Sequence, residues 1–139
     1  MGLVHAEITL VSLEDKIMAR NKIIPESNIR EITVTALVDS GAYFLAINER
    51  IKEQLGLPAI RKAPAALADG TIVELEIAGP IEIRFENRIA TVDAMVLPGD
   101  SEILLGAIPM EAMDVLIDPR RQLLIVNPEH PIRPQYSLK

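Results

Sequence analysis

The chain has 139 residues, enough for one domain, and 49% of them are apolar, yet no apolar run reaches the roughly 20 residues that span a membrane. Its formal net charge is −6, from 20 acidic against 14 basic residues, and its aromatics (Tyr43, Phe44, Phe85 and Tyr136) do not interleave with a basic stripe, which argues against a nucleic-acid surface. The absence of cysteine excludes a disulfide framework, a thiolate nucleophile and a cysteine-based zinc site.

Along the chain, Leu3, Val4, Ala6, Ile8 and Leu10 alternate with polar residues, which predicts a strand over 3–13. This start lacks the basic flank and apolar core of a signal peptide, so a cytoplasmic location is the expectation. A polar connection follows from Glu14 to Asn28, broken by Pro25. Residues 30–38 alternate again, and the Leu37-Val38 pair at their end suggests burial on both faces. Phe44–Ile47 reads as a short apolar strand. Asn48 is an N-cap for a helix over Glu49–Leu55, which Gly56 and Pro58 end.

Residues 65–78 read as a hairpin around Asp69-Gly70, a dipeptide that favours a type I′ turn. Gly79-Pro80 punctuates, and 81–86 and 88–97 form a second pair around Glu86-Asn87-Arg88. Pro98-Gly99-Asp100 is a loop, Glu102–Leu105 a strand, Pro109–Met113 a short helix and 121–126 a last strand. Three prolines mark the segment from Asn127 as extended. The fold class is mainly β, a barrel or sandwich with one or two short helices.

Asp39 is the residue placed for chemistry. It follows the apolar run Ala36-Leu37-Val38 and precedes Gly41, so a buried strand ends on an acid in a tight turn. An ordinary turn, with Asp39 and Ser40 bonding local amides, is the plain alternative. Apolar residues on both sides favour chemistry, since a surface turn seldom lies between Val38 and Ala42, Phe44 and Leu45. His5 and His130 stand at opposite ends of the chain and are read as surface or hydrogen-bonded residues.

A hydrophobic pair followed by Asp39-Ser40-Gly41-Ala42 resembles the active-site loop of retroviral-type (retropepsin-like) aspartic proteases. Three more features fall in the family's order: the Ala66–Leu75 hairpin, the Ile103-Leu104-Leu105-Gly106 strand, and the segment Pro109–Met113. The resemblance covers about residues 30–126, leaving 1–29 as an N-terminal strand and connection and 127–139 as a tail. It implies a closed β-barrel of the acid-protease type spanning the whole chain as one domain. Asp39 would be the catalytic carboxylate, and the Ser40 hydroxyl would brace two active-site loops across a subunit interface. Gly41 would let backbone approach the substrate, with Ala42 completing the loop. Ala68, Asp69, Gly70 and Thr71 would form a flap over a peptide or protein substrate, and Leu105 and Gly106 would support the loop from beneath.

The resemblance also implies an aspartic endopeptidase that needs no metal or other cofactor. Only one Asp-Ser-Gly is present, so the second carboxylate would come from a second copy in a symmetric homodimer. Viral members carry an acid after the loop and an arginine after the later glycine, paired with each other; this chain has Tyr43 and Ala107 there. Tyr43 is read first as a core-packing residue and second as the lining of a specificity pocket, and Asp69 as favouring basic or polar substrate groups. Either chain end has the extended character to join an inter-subunit sheet. Two other readings stand beside the enzyme: a catalytically weak or inactive peptide-binding and dimerisation module of the same fold, and a structural β domain in which Asp39-Ser40-Gly41 is only a turn.

Overall fold

The structure is a computed structural model and describes residues 3–138; Met1, Gly2 and Lys139, the outermost residues of the expected N-terminal segment and tail, lie outside the described residues. Strand β1 (His5–Ser12) turns Ala6, Ile8 and Leu10 inward and leads into a helix, α1 (Leu13–Arg20), where the sequence suggested only a polar connection. Ser12 caps this helix by accepting the Asp15 amide (3.2 Å), and Glu14 and Asp15 place negative charge on its first turn. Its remaining support is remote in sequence. Lys16 pairs with the buried Glu82 at 2.7 Å, and the buried Asp15 carboxylate takes a two-pronged contact from Arg30 (2.8 and 3.0 Å).

Strand β2 (Glu31–Val38) pairs antiparallel with β1, and β3 (Leu45–Asn48) is buried along its whole length. Helix α2 (Glu49–Leu55) has the expected cap, with the Asn48 side chain accepting the Ile51 amide at 2.9 Å, and it ends at Gly56 in the left-handed region. Strands β4 (Ala59–Ala66) and β5 (Ile72–Phe85) form the hairpin. Its tip differs from a type I′ turn. Of the two turn residues only Gly70 has positive φ (86°); the Gly70 amide bonds the Leu67 carbonyl and the Leu67 amide bonds that of Thr71. This is a three-residue loop with a glycine bulge, which needs left-handed backbone once rather than twice.

Gly79-Pro80 does not end the strand. Instead β5 takes up one extra residue between Ala78 and Ile81 and continues as barrel wall, paired with β6 (Arg88–Leu97) and with β1. Strand β7 (Ile103–Leu105) inserts between β2, parallel to it, and β3, antiparallel. The order β1-β2-β7-β3-β6-β5, closed by the β1–β5 pairing, is a six-stranded barrel with β4 attached outside β5. Ile8, Leu10, Leu45, Ile47, Ile81, Ile83 and Leu105, none more than 1% exposed, fill its core. The chain is therefore mainly β: the described residues form a closed six-stranded barrel with three short α-helices.

Helix α3 (Ala107–Met113) starts two residues earlier than expected, with Pro109 still in the first turn, where a missing amide hydrogen costs no helix bond. Strands β8 (Val115–Asp118) and β9 (Leu123–Val126) make a separate two-stranded sheet. Beyond it the chain has no regular strand and is tied back to Asp114. That carboxylate accepts from Asn127 (3.0 Å), His130 Nδ1 (2.7 Å) and the Gln135 amide (3.0 Å), and the buried Arg88 guanidinium donates to the His130 carbonyl. Burial opposes ionisation of Asp114, but the bonds from Asn127, the Gln135 amide and His130 outweigh it and bring the carboxyl to about 2. β1 is barrel wall, and the segment from Asn127 is fastened to its own chain at Asn127, His130, Gln135 and Tyr136.

β7 and α3 meet at Gly106, where backbone contact is closest. A Cβ there would stand 2.5 Å from the Phe44 carbonyl oxygen and 2.7 Å from that of Ala42. Gly106→Ala is expected to cost at least the roughly 1–3 kcal/mol of an overpacked core, read as a lower urea midpoint with an unchanged slope; an unaltered midpoint would show that the two backbones separate freely.

Acid stability supplies a second expectation. The Asp15 carboxyl is held low chiefly by its bond from the Arg30 side chain, so it and Asp114 both titrate lower in the folded chain than in the unfolded one. Their contribution is complete above the ordinary carboxylate range and is lost as pH falls through the folded values, about 2 for Asp114. The melting temperature should drop between about pH 4 and pH 2, and Asp114→Asn should flatten that drop while lowering stability at pH 7. An unchanged slope in the variant would remove Asp114 from the account.

Candidate active site

The candidate site begins where β2 runs out. Val38 is buried, and the next amide, that of Asp39, bonds the Leu105 carbonyl on β7 at 3.0 Å. The chain then turns: the Ala42 amide bonds the Asp39 carbonyl (3.0 Å), and the Gly41 amide bonds Asp39 Oδ1 (2.9 Å). Asp39 is half-buried, while Ser40 and Gly41 are exposed. The plain alternative of a local Asx-type turn is thus correct as geometry, and it orients the carboxylate rather than hiding it.

Helix α3 anchors the far side of this loop. The first amides of a helix have no partner within it. Here the Ala107 amide bonds the Ala42 carbonyl (2.8 Å), and the Ile108 amide bonds that of Tyr43 (2.9 Å). Loop, β7 and helix are thereby joined through backbone alone, with Gly106 between them. The expected supporting positions Leu105 and Gly106 lie directly against the Asp39 loop.

Opposite the loop stands the β4–β5 hairpin, and between them is a cleft of about 590 Å³. Asp39, Gly41 and Ala42 line it from the loop, Pro64–Ala68 from the hairpin, and Leu75, Met95, Leu97 and Leu104 from the strands. Asp39 is the only carboxylate among the lining residues. Of the hairpin residues singled out in the sequence, Ala68 faces the cleft while Asp69, Gly70 and Thr71 form the exposed tip outside its lining. One oxygen of the Asp69 carboxylate accepts the Thr71 amide (2.9 Å), which also holds its carboxyl below the usual range, and the residue stands on the exposed tip rather than in the lining of the cleft.

Tyr43 departs from its expected core role. It is 72% exposed and lines the cleft beside Phe44, their ring centroids 6.3 Å apart. The pocket alternative is the one its position fits. Sequence reasoning passed over Pro64, Ala65, Met95 and Leu97, while Ala66 and Leu67 fell within the Ala66–Leu75 hairpin; the small apolar run Ala63–Ala68 ahead of the turn was the available signal for the first two. His5 bonds Glu102 and His130 bonds Asp114, both outside the cleft. Among the described residues no group of three or more histidines and carboxylates is arranged to hold a metal ion.

Comparison with known proteins agrees with this architecture. A family model described as aspartyl protease matches residues 26–107. Among solved structures, the crystal structure of the retroviral protease-like domain of Ddi1 from Leishmania major aligns with a TM-score of 0.57, covering 92% of this chain and 90% of that one at 16% identity. At that identity the likeness speaks for the fold alone. No curated protein sequence matches. The matched segment contains the Asp39 loop, the hairpin, β7 and Gly106, and the chain belongs to the aspartyl protease family with a retroviral protease-like fold.

Proposed function

We propose that the chain is an aspartic endopeptidase that works as a symmetric homodimer, with Asp39 of each subunit supplying half of the active site. The observation that carries this reading is the placement of Asp39 as the sole carboxylate among the described residues lining a cleft of about 590 Å³ between a backbone-anchored loop and a hairpin. Family membership supports the reaction class. A second subunit is needed because Asp69-Gly70, Asp100-Ser101-Glu102 and Asp118-Pro119 do not repeat the Asp-Ser-Gly pattern. The exposed Ser40 hydroxyl is available to brace the loop across a twofold axis.

In the assembled site two carboxylates lie too close for both to ionise, so they share one proton. The ionised member takes a proton from a bound water as its oxygen attacks the peptide carbonyl carbon, and the protonated member donates to the carbonyl oxygen. Collapse of the tetrahedral intermediate breaks the C–N bond, and the nitrogen leaves with a proton returned from the dyad. No covalent enzyme intermediate forms. Hairpin residues Pro64–Ala68 would act as the flap that shields this chemistry from bulk water.

Sedimentation at micromolar concentration should show a dimer; a strictly monomeric chain would sink the proposal. Asp39→Asn should abolish cleavage of a peptide library while leaving dimerisation and melting temperature nearly unchanged. Retained peptide affinity in that variant, with no turnover by the unaltered chain, would favour the binding-module reading instead. Activity should peak at mildly acidic pH and decline on the alkaline side as the shared proton dissociates, whereas a rate still climbing at pH 9 would contradict a proton-sharing dyad.

A further inference from the structure

Beyond β9 the chain passes Pro128, Pro131 and Pro134, each without an amide hydrogen, a spacing that keeps the segment from pairing as a strand. No residue from Asn127 to Leu138 is buried, and Ile132 is 83% exposed. Hydrogen bonds rather than apolar packing therefore hold it. Asn127, His130 and Gln135 bond the Asp114 carboxylate, and the Tyr136 hydroxyl donates to the Ala112 carbonyl at 2.7 Å. The Asn87 side chain donates to the carbonyls of Pro131 (2.8 Å) and Ile132 (3.1 Å), and Arg88 donates to that of His130.

Arg88 makes this closure costly. Its side chain is fully buried, yet Nε and Nη1 have no hydrogen-bond partner among the described residues, and Asp114 Oδ2 lies 3.8 Å from Nη2. Half of a desolvated guanidinium is left unanswered while the segment lies over it, and water would answer it once the segment lifts. A stretch with no buried side chain, closed over such a group, has the character of a unit that opens locally, well short of global unfolding.

The bonds to Asp114 and Ala112 fall on one end of α3. That helix has seven residues, about 10 Å at 1.5 Å per residue, and a helix so short relies on outside partners for its first amides and last carbonyls. The amides of Ala107 and Ile108 go to the carbonyls of Ala42 and Tyr43 in the Asp39 loop, and the Ala112 carbonyl goes to Tyr136. Asp114 follows the helix directly in the left-handed region (φ 55°), and its own carbonyl accepts the Asn127 amide at 3.2 Å. Helix α3 thus has the Asp39 loop at one end and this segment at the other.

We propose that residues 127–136 are a releasable strap whose attachment to Asp114 and Ala112 holds α3 against the Asp39 loop, so that detaching the strap loosens the loop from the side away from the cleft. The link goes beyond the endopeptidase reading and does not depend on it. Any molecule that draws the strap away acts on Asp39 without entering the cleft.

Hydrogen exchange of the full-length chain, followed residue by residue by NMR, tests the link. Gln135 reports on the strap, Ala107 and Ile108 on the loop anchors, and the β1–β5 pairing on the barrel. In the parent chain the Gln135 amide should exchange about tenfold or more faster than the β1–β5 amides and with little dependence on added urea, the mark of local opening. Asp114→Asn turns one acceptor oxygen into a donor while asparagine keeps the left-handed backbone, and Tyr136→Phe removes only the hydroxyl bond. Each should speed exchange at Gln135, and with it at Ala107 and Ile108, by about fivefold or more relative to the β1–β5 amides, as the loss of one net hydrogen bond implies. The inference is overturned if Gln135 in the parent exchanges only together with the barrel, or if neither variant speeds it. It is equally overturned if Gln135 is released while Ala107 and Ile108 keep the parent's protection. Should Asp114→Asn fail to fold, Tyr136→Phe decides by the same criteria. No substrate enters the measurement, so a chain that cleaves no peptide overturns the hydrolytic reading alone.

Discussion

At Gly106 two backbones far apart in sequence pass closer than any side chain would permit, and the geometry around Asp39 depends on that approach. Strand β7 reaches it from between β2 and β3, having bonded the Asp39 amide through the Leu105 carbonyl. Helix α3 leaves it with two unpaired amides aimed at the carbonyls of Ala42 and Tyr43. The loop is therefore positioned by peptide groups, whose directions are set by the barrel, and not by side chains that could change rotamer. Such a mounting suits the proposed dimer, in which the carboxylate would have to meet a symmetry mate.

Charge is distributed in keeping with this. Asp15, Glu82 and Asp114 are buried or nearly so, and each is engaged by a cation or by several hydrogen bonds. They fasten α1 to the barrel and the 127–138 segment to α3, away from the cleft. Asp39 is treated differently. Among the described residues it has no cation within 4.0 Å, and its side-chain bond comes from the amide of its own turn. In the proposed homodimer a second copy would bring the other carboxylate beside it, the two sharing one proton.

The parts legible in the sequence are those where a local rule and the global fold agree. Period-two alternation located β2, the Asn48 cap and Gly56 bracketed α2, and Leu104-Leu105-Gly106 marked the strand under the loop. Helix α1 escaped because its partners, Arg30 and Glu82, are invisible to a short window, although Ser12 followed by Asp15 was a usable cap signal. Gly79-Pro80 misled for the opposite reason: a dipeptide that usually ends a strand is accommodated within β5 by a bulge. Tyr43 was misplaced since apolar neighbours in sequence do not reveal which residue of a loop faces a cleft. Pro64–Leu67 and Met95 gather there only after the barrel closes.

That bulge also divides β5 into two mechanical parts. From Ile81 to Phe85 the strand is paired on both sides, with β1 and β6, and is immobilised as barrel wall. From Ile72 to Ala78 it carries β4 and makes only a short contact with β6, at Ile77 and Ala78. The free outer part, Ile72–Glu76, is a cantilever about 17 Å long, at 3.3 Å per residue, with the Ile77–Ala78 pairing as its fulcrum. A rotation of about 10° there would swing the far end of that arm by about 3 Å, so a small adjustment beside the barrel is geometrically sufficient to open or narrow the cleft without repacking the core.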